Sequence, residues 1–178
     1  MKTINVPEGI SVEIEKSVVT VKGPKGALTR SFSDPRHDAK IKIEKTANEI
    51  SVSATDEKRK SLAMVGTIAS HIKNMITGAK SGYKYKMKIH YIHFPITVEV
   101  KGKHVMIKNF LGERGIRKAS IVGNTKLEVK KDDIFLTGID KESLGQTAAN
   151  IENACKLDRR DRRIFLDGIY MAGHEVGA

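Results

Sequence analysis

A stretch beginning at Ile10, I-S-V-E-I-E-K-S-V-V-T-V-K, returns without a gap at Ile96 as I-T-V-E-V-K-G-K-H-V-M-I-K, aligning Val12, Glu13 and Val19 with Val98, Glu99 and Val105. A second echo follows at a slightly shorter offset. Gly66 begins G-T-I-A-S-H-I-K-N and Gly145 begins G-Q-T-A-A-N-I-E-N, with Gly, Ala, Ile and Asn in step. Unequal loops between shared elements produce such a change of offset. A chain of 178 residues that repeats itself in this way is read as two copies of one small module.

Each copy reads alike. Ile10, Val12 and Ile14 alternate with Ser11, Glu13 and Glu15, the period of a half-buried strand. Val19-Thr20-Val21, Leu28 to Phe32, Ala39 to Ile43 and Ile50 to Ala54 supply further strands, and K-G-P-K-G marks a turn. Asp56 is placed to cap a helix from about Glu57 to Ile76. In the second copy the strands fall near Thr97–Val100, His104–Lys108, Ile116–Val122, Lys126–Val129 and Ile134–Thr137, and Asp140 caps a helix through Cys155. Val65, Ala69, Ile72 and Ile76 make one apolar stripe, matched by Leu144, Ala148, Ile151 and Cys155. These eight residues are the expected core of each helix-on-sheet contact, and Cys155 is read as packing rather than as a nucleophile. Gly66 and Gly145, one position after Val65 and Leu144, suggest a close helix-to-sheet approach. The expected fold is α+β: two tandem modules, residues 1–82 and 83–178, each an antiparallel or mixed sheet with one main helix packed on it.

Between the copies, Tyr83, Tyr85, Met87, Ile89 and Tyr91 alternate with Lys84, Lys86, Lys88 and His90, giving a strand with one apolar face and one basic face. Such a structured connection is expected to hold the modules in a fixed relation. Lys and Arg number 32 against 21 Asp and Glu, a net +11 that favours polyanionic partners. The excess is shared: 14 basic and 9 acidic residues precede Gly82, and 18 and 12 follow it. Leu62 to Ile76, interrupted by Ser70, His71, Lys73 and Asn74, is too short and polar to span a bilayer, so no membrane partner is expected and the chain reads as soluble and intracellular. No signal-like apolar run opens the sequence.

Catalytic and cofactor chemistry find little support. Cys155 is the single cysteine, which excludes an internal disulfide and a thiolate cluster. His90 and His93 point to opposite faces of a strand, the other histidines are scattered, and no H-E-x-x-H occurs. Asp132-Asp133 and Asp56-Glu57 sit beside Lys131 and Lys58 as solvated turns or caps. K-G-P-K-G-A-L-T lacks the glycine-then-lysine order of a phosphate loop; it reads as a hairpin loop, with RNA or protein contact left open. L-G-E-R-G-I-R-K lacks dinucleotide spacing. No metal, cofactor or enzymatic activity is expected.

Positive charge concentrates twice. Lys101, Lys103, Lys108, Arg114, Arg117 and Lys118 stand against Glu113 alone within residues 101–118. Lys156, Arg159, Arg160, Arg162 and Arg163 stand against Asp158 and Asp161 within residues 156–163. Arginine forks suit phosphate oxygens, and each neutralised phosphate releases counterions. These eleven residues are the candidate RNA contacts, acting through backbone and shape because the aromatics make no clear stacking platform. The competing reading is a basic protein-interaction adaptor that uses its sheet edges or the K-G-P-K-G loop without specific RNA binding.

The order of motifs along the full length resembles the family of the sixth protein of the large ribosomal subunit, in its archaeal and eukaryotic branch. V-P-E-G-I-S-V-E-I-E-K and V-T-V-K-G-P-K-G-A-L-T-R are similar to its first module. Y-K-Y-K-M-K-I-H-Y-I-H-F-P-I, I-K-N-F-L-G-E-R, G-Q-T-A-A-N-I-E and D-R-R-I-F-L-D-G-I-Y resemble that branch. The resemblance implies a structural, cytoplasmic ribosomal component, a monomer within the particle, bound to large-subunit ribosomal RNA and neighbouring ribosomal proteins. It implies that the second domain makes most RNA contacts, beside the sarcin–ricin loop and close to translation factors. By the same match Lys108 and Arg114 to Lys118 lie in an RNA-facing loop, Lys156 and Arg159 to Arg163 form a basic C-terminal stretch against RNA, and Gly168 and Tyr170 shape the strand or tail that follows. The family performs no reaction. The joining strand and C-terminus depart from the bacterial branch, whose tail contacts are not carried over.

Overall fold

Period-two alternation of Val and Ile with polar residues sets the strands, and two helices cover the apolar faces they leave. The computed structural model describes residues 2–33, 40–46, 49–56, 58–157, 161 and 163–177. Contacts divide the chain into two units, Met1–Gly82 and Tyr83–Ala178. The first contains β1 (Lys2–Asn5), β2 (Ser11–Glu15), β3 (Val18–Gly23), β4 (Gly26–Ser31), β5 (Ile41–Thr46), β6 (Glu49–Ala54) and α1 (Arg59–Ser81). Its strands form two three-stranded antiparallel sheets, ordered β1-β6-β5 and β2-β3-β4. α1 lies against β1, β3, β4 and β6. Val12, Val19, Val21, Ile50 and Val52 from the sheets meet Val65, Ile68, Ile72 and Ile76 from the helix.

The second unit contains β7 (Tyr83–His90), β8 (Thr97–Lys101), β9 (His104–Lys108), a short turn Phe110–Gly112, β10 (Arg117–Ser120), β11 (Lys126–Lys130), β12 (Asp133–Gly138), α2 (Lys141–Ala154) and β13 (Gly168–Val176). Its antiparallel sheets are ordered β10-β9-β8 and β11-β12-β7-β13. The same plan therefore occurs twice, with β13 added in the second copy. The basic strand between the repeats is an interior strand of the second unit's larger sheet, flanked by β12 and β13. Its inward residues Tyr83, Tyr85, Met87 and Ile89 are buried with Ile134, Leu136, Leu144, Ala148, Ile151 and Cys155. Every sheet pairing among the described residues is antiparallel.

Several local expectations change. Asp140 does cap α2, accepting from the backbone N–H of Glu142 at 3.1 Å and of Ser143 at 3.2 Å. Asp56 does not cap α1: the helix starts at Arg59 after Lys58, which makes no side-chain capping bond. A hydrogen bond with the Ser61 side chain instead holds the Asp56 carboxyl below its ordinary pKa. α1 also continues past Ile76 to Ser81, because its final turn is pressed under the K-G-P-K-G hairpin. Lys25 N–H donates to the Ala79 carbonyl at 3.1 Å, and a Cβ on Gly23 would stand 2.6 Å from that oxygen. Close approach thus explains Gly23. It does not explain Gly145, where a Cβ would meet nothing within 4 Å, nor Gly66, where it would meet only the flexible Lys2 tip at 3.4 Å. β1 was not expected from the sequence; it exists by pairing with β6, setting Ile4 opposite Ile50.

Candidate nucleic-acid interface

Strand parity sorts the first basic stretch into two faces. In the β10-β9-β8 sheet, Met106 lies opposite both Glu99 and Lys118, Lys101 lies opposite His104, and Lys108 lies opposite Thr97. These residues share the face turned away from Val98, Val105, Ile107 and Ala119, which are buried. Lys101, Lys103 and Lys118 are exposed there or at its hairpin turn. Lys108 is tied down: its Nζ donates to Glu99 Oε1 at 2.6 Å, and this bond holds the Glu99 carboxyl below its ordinary pKa. The first copy repeats the pair at the aligned positions, Lys22 Nζ donating to Glu13 Oε1 at 2.7 Å.

The loop after β9 is forced outward by its backbone. Asn109, Leu111 and Gly112 have φ of 57°, 52° and 75°, while Phe110 between them is a buried plug. Asn109 Nδ2 donates to the Pro95 carbonyl at 3.0 Å, fixing the base of the loop. Arg114 is exposed on the arc that results. Arg117, expected among the phosphate ligands, has the opposite strand parity from Lys118 and turns inward instead. Its Nε and Nη2 grip Glu113 at 2.9 and 2.6 Å, and its Nη1 donates to the carbonyls of Ala154 at 2.9 Å and Lys156 at 3.4 Å. The guanidinium also lies 4.4 Å from the centre of the Phe110 ring. Ala154 ends α2, where carbonyls lack intrahelical donors and a cation is favoured. Arg117 therefore rivets the exposed loop to the start of the second basic stretch. Its hydrogen bond to Glu113 is the main reason that carboxyl lies below its ordinary pKa.

In the second stretch Lys156 is exposed. Arg163, with its side chain 89% exposed, forks onto Asp161, whose carboxyl that bond lowers in pKa. Arg159, Arg160 and Arg162 lie outside the described residues. Sequence reasoning missed Asp167, which is buried and accepts the Ile92 N–H at 2.8 Å, pinning the loop after β7 to the approach to β13. A lone acidic residue in L-D-G gave no signal of that contact. Cys155 is buried and its thiol is pushed up to about 11 by burial, which fits a packing residue. Among the described residues no three His, Cys, Asp or Glu side chains gather as a metal site, and no helix is long and apolar enough to cross a membrane.

Fold and surface together define a duplicated α+β protein whose second copy carries basic, outward-facing loops. The model of the family described as Ribosomal protein L6 matches twice, over residues 6–82 and 94–168. The chain belongs to that family, whose members are structural rather than enzymatic. It is similar to the protein named large ribosomal subunit protein uL6 of Methanocella arvoryzae, 49% identical over 96% of this chain and 95% of that protein. The protein of the same name from Staphylothermus marinus is 52% identical over 94% of this chain and 91% of its own length. That of Aeropyrum pernix is 46% identical over 99% and 95%.

Proposed function

We propose that this chain is a structural constituent of the cytoplasmic large ribosomal subunit and binds large-subunit ribosomal RNA chiefly through its second unit, by phosphate and shape contacts. Lys101, Lys103, Arg114, Lys118, Lys156 and Arg163 are the phosphate ligands, and the assignment extends on sequence grounds to Arg159, Arg160 and Arg162. Arg117 and Lys108 hold the surface in shape. The observation that carries this reading is the Arg117 rivet, which fixes the Arg114 loop beside the Lys156 segment and so joins two basic stretches far apart in sequence. A pre-formed cationic surface loses little ordering entropy when it meets a folded RNA. The family resemblance supports a location beside the sarcin–ricin loop, close to translation factors and neighbouring ribosomal proteins.

Chemical footprinting of large-subunit ribosomal RNA tests it. The wild-type chain should protect nucleotides in and beside the sarcin–ricin loop. A variant with Lys101, Arg114, Lys118 and Lys156 replaced by Gln should lose that protection while remaining folded. Protection that survives the quadruple substitution removes the assigned face; protection confined to another region removes the location.

A further inference from the structure

The first copy is an internal control for the second. Strands β1, β6 and β5 match β7, β12 and β11 in order and pairing, and in both copies the helix follows the middle strand. Each of these sheets turns one face to its helix and one outward. In the first copy the outward positions include Thr3, Asn5, Thr46, Ser51 and Ser53, with Lys42 and the carboxylates Glu44 and Glu49 on the same face. The corresponding positions of the second copy carry five lysines, Lys84, Lys86 and Lys88 on β7 and Lys126 and Lys130 on β11, against Glu128 and Asp133. The fold does not require the charge of Lys86, Lys88 and Lys130, because strand pairing places Thr3, Asn5 and Thr46 at those positions of the sister sheet; Lys126 falls where that sheet already has Lys42.

The lysines are also gathered. Phe135 lies opposite Lys86 on one side and Glu128 on the other. The ammonium groups of Lys84, Lys86 and Lys130 stand 4.9, 5.6 and 5.6 Å from the centre of its ring. Lys86 pairs with Asp133 at 2.9 Å and Lys130 with Glu128 at 3.6 Å. The ring and the two carboxylates offset part of the mutual repulsion, and a polyanion would relieve the rest. Along β7, alternate residues repeat about every 7 Å, a spacing of the same order as that of successive phosphates in a polynucleotide. A row of cations at that pitch suits a strand of backbone better than a single small anion.

We infer that the outward face of β11, β12 and β7 is a second RNA-backbone seat, distinct from the β8–β10 face, the Arg114 loop and the Lys156 segment, with Lys84, Lys88, Lys126 and Lys130 neutralising phosphates of a strand laid along β7. This rests on the reading that the chain binds RNA, and it adds a face which that reading does not use.

The test measures affinity for a transcript of large-subunit ribosomal RNA across salt concentrations, with the full chain throughout. The sheet variant carries Lys84→Gln, Lys88→Gln, Lys126→Gln and Lys130→Gln; the loop variant carries Lys101→Gln, Arg114→Gln, Lys118→Gln and Lys156→Gln; Lys42→Gln is the sister-sheet control. Thermal melts confirm that each is folded. Each neutralised phosphate contributes about 0.7–0.9 to the slope of log affinity against log salt. The sheet variant should therefore show a slope shallower by about 3 and an affinity at least about tenfold weaker near 0.1 M salt. Its all-arginine counterpart should bind like wild type, as should the Lys42 control. If the sheet variant binds like wild type while the loop variant weakens, the seat is overturned and the proposed function stands. If both bind like wild type, both fall. A weakened sheet variant beside an unaffected loop variant upholds the seat and overturns the loop assignment. A sheet variant with normal RNA affinity that fails to enter the subunit assigns the face to an acidic protein neighbour and overturns the seat.

Discussion

Replacing Arg117 with alanine separates a structural cation from a ligand. The guanidinium is 29% exposed and its Glu113 partner 42%, so the ion pair contributes about 0.5–1 kcal/mol. The hydrogen bond to the Ala154 carbonyl, favoured by the helix terminus, adds about 0.5–1.5 kcal/mol. The contact with the Phe110 ring adds about 0.5–1 kcal/mol. Together the substitution should destabilise the second unit by about 1.5–3.5 kcal/mol. For a domain of this size that lowers the melting temperature by on the order of 10–20 °C. Arg117→Lys keeps the charge but loses the fork and the flat contact with the ring, and should cost about half as much. Thermal melts followed by circular dichroism read the effect. RNA titrations at several salt concentrations should show a slope unchanged for folded Arg117→Ala but smaller by about 0.7–0.9 for Lys118→Ala. A wild-type melting temperature for Arg117→Ala, combined with the loss of a full phosphate's worth of slope, refutes the rivet and makes Arg117 a ligand.

Gly23→Ala should destabilise the first unit by about 1–3 kcal/mol, since its Cβ meets the Ala79 carbonyl. Gly145→Ala, opening into free space within α2, should stabilise the second unit by about 0.5–1 kcal/mol; urea denaturation of each variant checks the pair. Glu99 and Glu113 have carboxyls held below the ordinary 4.5, so the folded state binds fewer protons than the unfolded state near that pH. Their stability contribution is full above about pH 4.5 and lost as pH falls through the lowered values, and Arg117→Ala should remove the Glu113 share in an acid titration of stability. With the buried Cys155 thiol at about 11 rather than 9.0, the thiolate fraction at pH 8 falls about a hundredfold, so a thiol reagent should modify the folded protein at least about a hundredfold more slowly than the urea-unfolded chain. Lys108→Gln should behave as Lys22→Gln does, with a small loss of thermal stability and no change in the salt slope of RNA binding.

Much of the fold was legible because it depends on local period. Val12 and Val19 announce their strands, and the Val65 and Leu144 stripes announce their helices, since side-chain parity is fixed by the residue's own backbone. Asp140 was legible as a cap because its partners, Glu142 and Ser143, lie within the next turn. Asp56 misled because its type and place suit a cap, yet α1 starts three residues later at Arg59 and the Asp56 carboxyl bonds the Ser61 side chain, a choice no local pattern writes. β1 and the role of Gly23 depend on partners far along the chain, Ile50 and Ala79, and no local pattern encodes either. The inward turn of Arg117 was hidden for a related reason. In I-R-K-A-S only Ala119 is a buried apolar marker, so the phase of the strand was too weakly written to tell the inward cation from the outward one.

Duplication supplies what a single sequence otherwise lacks, a comparison in which the fold is held constant. Where the copies agree, the residues answer to the fold: Val12 with Val98, Ile72 with Ile151, and the Glu13–Lys22 pair with Glu99–Lys108, bonded at 2.7 and 2.6 Å. Lys108 therefore belongs with the architecture, although it sits in a basic run. Where the copies differ on equivalent outward positions, the fold has no preference and the difference must come from what the surface meets. Lys101 stands where the first copy has Glu15, and Lys118 where strand pairing places Thr29, opposite Thr20 as Lys118 is opposite Met106. Lys86, Lys88 and Lys130 pass the same test, standing where strand pairing places Thr3, Asn5 and Thr46, whereas Lys126 stands where the first copy already has Lys42. On this criterion the second copy has acquired cations on the outward faces of both its sheets. That is the distribution expected of a lobe pressed into a polyanion rather than one resting on it by a single edge.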